Sequence, residues 1–238
     1  MKKLLFSLAT LLSLSVLAQD TKVINDANAT QRTLNGSFTA ISVSSGIDLY
    51  LSQANEESIA VSASDQKHLD RLKTEVVNGT LKIYYDNKGV TWKSENRKLK
   101  AYVSFKTLEK LNASAGSDVT VNGSINADKL DLHVSSGSSL KGAIHAKEIA
   151  ADVSSGAGIS ISGRADKLTV EASSGADFKG YDLAVDYCDA SASSGAAVHV
   201  TINKELNVKA SSGADIRYKG TALIRDIKTS SGGAVKKA

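Results

Sequence analysis

The sequence has no proline, one cysteine and few aromatic residues, which make up 5% of its 238 residues. The absence of proline excludes a proline-rich linker, a collagen helix and a mucin-like stalk. A single cysteine, Cys188, excludes a disulfide-stabilised scaffold. No charge of one sign dominates, and 42% of the residues are hydrophobic. This composition is that of a folded globular protein and not of a disordered tail.

Long hydrophobic runs are lacking after the first eighteen residues. There, two lysines precede an apolar stretch from Leu4 to Leu17, and Ala18 follows. This stretch is shorter than the roughly 20 residues of a spanning helix, so we interpret residues 1–18 as a signal peptide. A single-span anchor is the weaker alternative. The sequence then predicts a flexible leader over residues 19–31 and export to the periplasm, the outer cell surface or the medium.

The charge balance also limits the partners. Loss of the signal peptide removes two lysines and lowers the formal net charge from +4 to +2. Nucleic-acid-binding domains usually carry a strongly basic face or stripe. We therefore expect no nucleic-acid partner. Because no second apolar run follows residue 18, we also expect no membrane span in the mature chain.

The main positive signal is an internal repeat. Ser-Ser-Gly or a close variant recurs, and after a first gap of 70 residues its glycines lie 18 to 21 residues apart. They are Gly46, Gly116, Gly137, Gly156, Gly175, Gly195, Gly213 and Gly232. We interpret these glycines as structural corners, because glycine readily adopts the positive φ angles of tight turns.

Apolar residues alternate with polar ones on both sides of each glycine. The third residue after it is always apolar: Leu49, Val119, Leu140, Ile159, Phe178, Val198, Ile216 and Val235. A period of two indicates strands, and one unit alone could not close a core. The pattern predicts an all-β, right-handed parallel β-helix of about 19-residue coils over residues 113–238. A propeller, in which pairs of units form a blade, is the less favoured alternative.

Residues 32–112 lack the regular repeat of residues 113–238. We expect them to form an N-terminal β section that caps the stack. Leu69, Leu72 and Val76 have helical spacing, which predicts a short helix within residues 64–76. Asn78-Gly79 is a two-residue hairpin signal between two apolar runs. Alternation over residues 99–105 predicts a further strand.

These motifs together resemble a known family. The segment from Ile41 to Leu49 reads Ile-Ser-Val-Ser-Ser-Gly-Ile-Asp-Leu, and Asn-Gly-Thr-Leu-Lys-Ile follows from Asn78 to Ile83. With repeated Ser-Ser-Gly-Ala-Asp coils after a signal peptide, they resemble the head GIN domain family of exported Bacteroidetes proteins, which is named for auto-transporter adhesins. The resemblance covers roughly residues 32–235. It implies a β-helix and an adhesin role, and it brings no catalytic residues.

Carboxylates give the best enzymatic lead. Asp48, Asp118, Asp177 and Asp215 each lie two residues after a repeat glycine. In the regular stack no two of them are expected on adjacent coils, and Asp177 and Asp215 should lie two coils or ~9.6 Å apart. That separation is at the far edge of the range for inverting glycosidases. We interpret these residues as turn residues, with a polysaccharide-active enzyme as the alternative.

Other reactive side chains have structural explanations. The histidines His68, His133, His145 and His199 share no repeat position, so no serine triad is proposed. Cys188 stands where neighbouring repeats have leucine or isoleucine, which predicts a core thiol. No clustered His, Cys or acidic ligands suggest a metal site, and we expect no cofactor. The serine ladder is expected to support the turns by hydrogen bonds, or else to bind a glycan or a mineral-like lattice.

One irregular loop, residues 86–100, suggests a binding site. It holds the only tryptophan, and aromatic and basic side chains surround it: Trp92, Tyr84, Tyr85, Lys93 and Arg97. Such residues suit glycan stacking or a protein hot spot. The alternative is a tryptophan folded over the core beside a solvated basic loop.

The sequence therefore predicts an exported, non-catalytic β-helix that acts as an adhesin or a binding or scaffolding module at the cell envelope. The expected partner is a glycan or a cell-surface protein. A self-associating envelope protein with paired coil ends is the second alternative, which Lys236 and Lys237 would discourage.

Overall fold

The computed structural model describes residues 26–89 and 97–238. One helix, α1, spans Gln66–Arg71. The strands of the N-terminal section are β1 (Thr30–Arg32), β2 (Ala40–Val43), β3 (Asp48–Gln53), β4 (Ser58–Ser62), β5 (Leu72–Val77), β6 (Thr80–Tyr85), β7 (Lys100–Phe105) and β8 (Lys110–Ala113). The strands of the regular coils are β9 (Asp118–Val134), β10 (Ser139–Val153), β11 (Gly158–Ala172), β12 (Asp177–Ala192), β13 (Ala197–Ala210), β14 (Asp215–Lys219), β15 (Leu223–Thr229) and β16 (Ala234–Lys237).

The regular coils form the predicted β-solenoid. Each long strand bends around a coil and pairs in parallel with the equivalent strand of the next, so that Leu140 lies beside Ile159 and Ile149 beside Leu168. The register equals the sequence repeat, because a slip by one residue would turn every apolar side chain outward. The fold predicted from the period of two is confirmed.

The core consists of columns of equivalent apolar side chains. The third residue after each repeat glycine is at most 1% exposed from Leu49 through Ile216. Cys188 is 3% exposed in the column of Leu168 and Leu206, and burial raises the pKa of its thiol. The prediction that Cys188 is a core residue is confirmed, and the deprotonated, reactive form of the thiol is disfavoured.

The Ser-Ser-Gly turns stack directly on one another. In the turn at Gly156, both Ser155 (φ 55°) and Gly156 (φ 70°) adopt left-handed backbone angles. The Gly156 N–H donates to the carbonyl of Ser174, one coil further, at 3.0 Å. Equivalent backbone bonds link the turns from Gly46 to Gly213. The glycines are corners as predicted, and the backbone joins successive turns.

A second glycine in each of several coils permits close approach between coils. At Gly163 (φ 114°), an added Cβ would lie 2.2 Å from the carbonyl oxygen of Ile144. At Gly156, by contrast, an added Cβ would meet nothing within 4 Å. The glycine with the stronger steric requirement therefore lies outside the Ser-Ser-Gly motif.

The N-terminal section leaves the stack and returns to it. The Gly46 N–H donates to the carbonyl of Ala115 at 2.9 Å, so the first two turns are neighbours despite the long segment between them. Accordingly, β3 lies between β7 and β9, and β2 lies between β6 and β8. Antiparallel β4 continues the sheet beyond β7, and β1 continues it beyond β4.

Part of the segment predicted as a leader takes part in the fold. Strand β1 includes two residues of it, and one Asp26 carboxylate oxygen accepts hydrogen bonds from Ser62 Oγ (2.7 Å) and Tyr102 Oη (2.8 Å). These bonds lower the pKa of Asp26, because they favour the ionised carboxylate. Asp26 thus ties the beginning of the described chain to two strands of the section.

The predicted helix is shorter than expected. It spans only Gln66–Arg71, where the Asp65 side chain caps it by accepting from the N–H of His68 at 3.1 Å. Leu72 and Val76, assigned to the helix from their spacing, belong to β5 instead. Strand pairing with β6 runs along all of β5, and β-branched residues there favour an extended backbone.

The predicted hairpin is confirmed. Strands β5 and β6 are antiparallel, and Asn78 (φ 49°) and Gly79 (φ 70°) connect them with left-handed angles at both positions. A two-residue turn with this geometry matches the twist of the strands on either side. The strand expected over residues 99–105 is also present, as β7.

Candidate functional site

Eleven of the sixteen strands of the sheet form a continuous path along the solenoid, from β1 through β4, β7, β3 and β9 to β14 and β16. At a strand spacing of ~4.8 Å it is ~48 Å long. Its outward side chains form rows along the solenoid axis, because equivalent residues of successive coils are in register. We call this surface the ladder face.

The first row of the ladder face lies two residues after each repeat glycine and continues onto β7. It holds Lys100, Asp48, Asp118, Ser139, Gly158, Asp177, Ala197, Asp215 and Ala234. Asp177 and Asp215 are two coils apart, as predicted. Asp48 and Asp118, however, are direct neighbours, because the N-terminal section returns the chain to the first turn. The expectation of isolated carboxylates therefore holds only from Asp118 onward.

The neighbouring Asp118 affects the titration of Asp48. Burial, and then the charge of Asp118, raises the pKa of Asp48, while Lys100 on the other side acts in the opposite direction. The Asp118 carboxylate also accepts a hydrogen bond from Ser139 Oγ. The 70-residue gap concealed this contact, since the two motifs look distant in the sequence.

The second row lies four residues after each repeat glycine and also continues onto β7. It reads Tyr102, Tyr50, Thr120, Lys141, Ser160, Lys179, His199, Arg217 and Lys236. The rings of Tyr50 and Tyr102 stack at 5.1 Å between centroids. The row is thus aromatic near the N-terminal end and basic toward the C-terminal end. Aligning the fourth residue after each glycine would have revealed it from the sequence.

Acids of the first row pair with bases of the second. Lys179 Nζ lies 2.9 Å from Asp177 Oδ2, and Arg217 Nε lies 2.7 Å from Asp215 Oδ2. The hydrogen bond that Lys179 donates to Asp177 raises the pKa of Lys179. Each pair places a hydrogen-bond acceptor beside a donor, which is the combination that the hydroxyl groups of a sugar can use.

An open groove of about 560 Å³ lies on the ladder face. Its lining residues are Lys141, Gly142, Ala143, Ser160, Ile161, Ser162, Lys179, Tyr181, Asp182 and His199. It is the part of the ladder face where an aromatic ring, hydroxyl groups and ion-paired side chains meet.

A β-bulge builds one wall of this groove. In β12, the segment between Gly180 and Ala184 is longer by three residues than the matching segment of β13. The extra residues include Tyr181, whose backbone carbonyl accepts a hydrogen bond from Thr201 Oγ1 at 2.8 Å. Bulges redirect side chains in this way and are frequent near functional sites.

The bulge places the Tyr181 ring among basic side chains. The ring lies 5.0 Å from the His199 ring between centroids, and Lys219 Nζ lies 4.2 Å from its centroid. These contacts hold the half-exposed ring in place. Sequence reasoning missed Tyr181, because the repeat from Gly175 to Gly195 has 20 residues and is only one residue longer than the repeat before it.

The loop predicted as a binding site is only partly described. Trp92 and Lys93 lie outside the described residues. Tyr85 is 3% exposed, its hydroxyl lies 2.7 Å from His68 Nδ1, and the Arg97 guanidinium carbon lies 4.4 Å from its ring centroid. Tyr84, on the same strand, is half-buried. Tyr85 is therefore a core residue, and the binding role of the loop stays a prediction.

Residues 26–89 and 97–238 contain no group of three or more His, Cys, Asp or Glu side chains that could hold a metal ion. In the same ranges, no helix has the length and apolar character needed to cross a bilayer.

Solved structures share the fold of this chain. A protein from Bacteroides fragilis described as a "putative adhesin" has a TM-score of 0.81 at 14% identity, with 88% of this chain and 96% of that chain covered. A Parabacteroides merdae protein with the same description has a TM-score of 0.70 at 15% identity, covering 90% and 97%. A "putative lipid binding protein" from Parabacteroides distasonis has a TM-score of 0.67 at 18% identity, covering 90% and 98%.

A comparison with curated proteins finds no match. A family model does match, over residues 37–222, and its description is "Putative auto-transporter adhesin, head GIN domain". This range includes β2 through β14 and most of the ladder face. It agrees with the resemblance drawn from the Ser-Ser-Gly and Asn-Gly motifs. The chain belongs to the head GIN domain family.

Proposed function

We propose that the protein is an exported, non-catalytic adhesin that binds a glycan of the cell surface in the groove beside Tyr181. The observation that carries the proposal is the bulge of β12, which places an aromatic ring next to ion-paired side chains on a flat, regular sheet. The family name supports an adhesin role in general terms. The ligand class is our inference from the groove.

Glycans suit this surface because of both its shape and its chemistry. The exposed part of the Tyr181 ring offers an apolar surface to the C–H groups of a sugar ring. The Lys179–Asp177 pair and the hydroxyl groups of Ser160 and Ser162 provide donors and acceptors for sugar hydroxyl groups. The ladder face continues past the groove in both directions, so an extended polymer could lie along the solenoid axis.

The arrangement of carboxylates favours binding over hydrolysis. Asp177 and Asp215 are two coils apart, and each forms an ion pair with a base of its own strand. Glycosidases instead need one carboxylic acid that stays protonated beside a second, ionised carboxylate. Asp177 and Asp215 are ~9.6 Å apart by strand spacing, at the far edge of the separation that inverting glycosidases use.

A glycan array of cell-envelope polysaccharides tests the proposal with three variants. We expect Tyr181→Ala to weaken binding by roughly tenfold or more, as loss of an aromatic anchor does. Tyr187→Ala is the matched control, since Tyr187 is 44% exposed and does not line the groove. Trp92→Ala tests the loop predicted from the sequence.

The outcomes separate the sites. Loss of binding with Tyr181→Ala alone supports the groove, whereas loss with Trp92→Ala alone moves the site to the loop. If the wild-type protein binds no polysaccharide on the array, the glycan proposal is wrong and a protein partner becomes the better hypothesis. Binding that is equally strong in all three variants would also contradict it.

The export part of the proposal has its own test. A signal peptide over residues 1–18 predicts that the protein recovered from the envelope or the medium begins at Gln19. N-terminal sequencing after cell fractionation measures this directly. An intact Met1 on a protein found in the cytoplasm would contradict export.

A further inference from the structure

The two ends of the solenoid differ in the direction of their last strands. At the N-terminal end, antiparallel β4 and β1 follow the last parallel strand. At the other end, β15 pairs with β13 on one side and β16 pairs with β14 on one side, and no other described strand pairs with either. The last coil thus presents unpaired backbone N–H and C=O groups, which are a template for another strand.

Apolar side chains accompany this open edge. Ile227 lies beside Val208 in a core column, yet it is 45% exposed, whereas Val208 is 1% exposed. Leu223 is 55% exposed, and Ile224 is only partly buried against the core. The last coil therefore has the side chains of a core without a layer that covers them.

Strand β15 is complementary to itself. When it pairs antiparallel with β15 of a second copy and Ile227 lies on the two-fold axis, Asp226 stands opposite Lys228 of the second copy. Within one copy, Lys228 Nζ already lies 2.8 Å from Asp226 Oδ2. The symmetry repeats the contact between copies, so opposite charges alternate on both sides of an apolar contact over the core. Asp226 and Lys228 both lie in outward columns, beside Asn207 and Lys209, so their side chains point to the same face.

We propose that two copies of the protein associate through β15 into a symmetric dimer, with the solenoids joined end to end. The pairing extends the sheet across the interface and covers Ile227. The antiparallel strands at the N-terminal end leave head-to-tail stacking without a matching parallel edge. Repeated addition of copies is therefore disfavoured, and the assembly closes at two.

The lysines that the sequence suggested as a barrier lie on the other edge strand. Lys237 is beside Tyr218, in a column that faces inward one coil earlier. A charged residue at such a position discourages strand addition. Because Lys236 and Lys237 are both on β16, they restrict the contact to β15 and do not prevent it.

Sedimentation and light scattering of the purified protein over a concentration series test the dimer. We expect the mass to double with a dissociation constant roughly in the micromolar range, since the interface is small. Ile227→Lys should remain a monomer at every concentration. Tyr187→Lys, on the side of the solenoid, is the matched control and should still dimerise. A wild-type protein that stays monomeric throughout would overturn the proposal.

A charge swap tests the register. Asp226→Lys places lysines opposite each other at both contacts and should weaken the dimer at least about tenfold. The double variant Asp226→Lys with Lys228→Asp restores opposite charges across the axis and should restore association. Equal association of all three proteins would contradict this register.

A cysteine on the two-fold axis gives an independent readout. Ile227→Cys should form a disulfide-linked dimer under mild oxidation, because facing residues of an antiparallel pair have Cβ atoms about 5 Å apart. Tyr187→Cys should not, and the native Cys188 is 3% exposed. Cross-linking of Tyr187→Cys but not of Ile227→Cys would overturn the proposal and indicate a lateral contact.

Discussion

The regular coils and the N-terminal section build the same core by different routes. From β9 to β14 the chain advances by one coil at a time, and every neighbour is parallel. Between Gln53 and Lys110 the chain instead travels outward, reverses in a hairpin and returns beside its starting point. A repeat is therefore sufficient to lengthen a solenoid, whereas the N-terminal end of this one is covered by antiparallel strands.

The two regions nevertheless share one continuous core. A single cluster of buried side chains includes residues from Phe38 to Tyr218. Strand β3 pairs with β7 on one side and β9 on the other, so it joins the section to the coils. We therefore expect the whole molecule to unfold as one cooperative unit.

The strongest test of this unity compares two buried phenylalanines. Phe105 in the N-terminal section and Phe178 in the coils are both 0% exposed. Each substitution to alanine should cost about 3–5 kcal/mol of unfolding free energy, because each leaves a large cavity. In urea titrations followed by circular dichroism, both variants should keep a single transition with an unchanged slope. Two transitions, with only one shifted in each variant, would show that the regions unfold separately.

A smaller effect should distinguish the two kinds of glycine in the coils. Gly163→Ala forces a Cβ against the Ile144 carbonyl and should destabilise the fold by about 3 kcal/mol. The Cβ added by Gly156→Ala would have no atom within 4 Å. This variant should cost about 1 kcal/mol, because alanine is strained at left-handed backbone angles. Chemical denaturation of the two variants measures the difference. Equal losses would mean that backbone angle, not contact between coils, determines the cost.

The smallest expected effect concerns the attachment of the N-terminal segment. The folded-state pKa of Asp26 is lowered, so its contribution is present above the unfolded value of 3.8 and disappears as the pH falls through the folded value. Asp26→Asn should cost about 1 kcal/mol at pH 7, since solvent partly screens a half-buried carboxylate. The difference between variant and wild type should shrink at acidic pH in thermal melts. A constant difference from pH 7 to pH 2 would contradict this role.

Much of the fold could be predicted from local signals. Residues close together in the sequence determine both the Asn78-Gly79 turn and the inward direction of Leu140, Ile159 and Phe178. The neighbourhood of Asp48 and Asp118 could not be predicted in this way, because it depends on the path of the chain between them. The groove was equally hidden, since Tyr181 owes its position to a register shift between two strands.

The return of the chain to its first turn has a mechanical consequence for an anchored molecule. A pulling force on the C-terminus would detach the regular coils one at a time. The backbone hydrogen bonds that hold each coil to its neighbour would break before those of the next coil are loaded. Each coil of about 19 residues would release roughly 60 Å of chain. The turn at Gly46 lies between β7 and β9 neighbours, so the N-terminal section could not be peeled in the same small steps. Under load, the regular coils would unfold in steps of similar length, whereas the N-terminal section would resist extension.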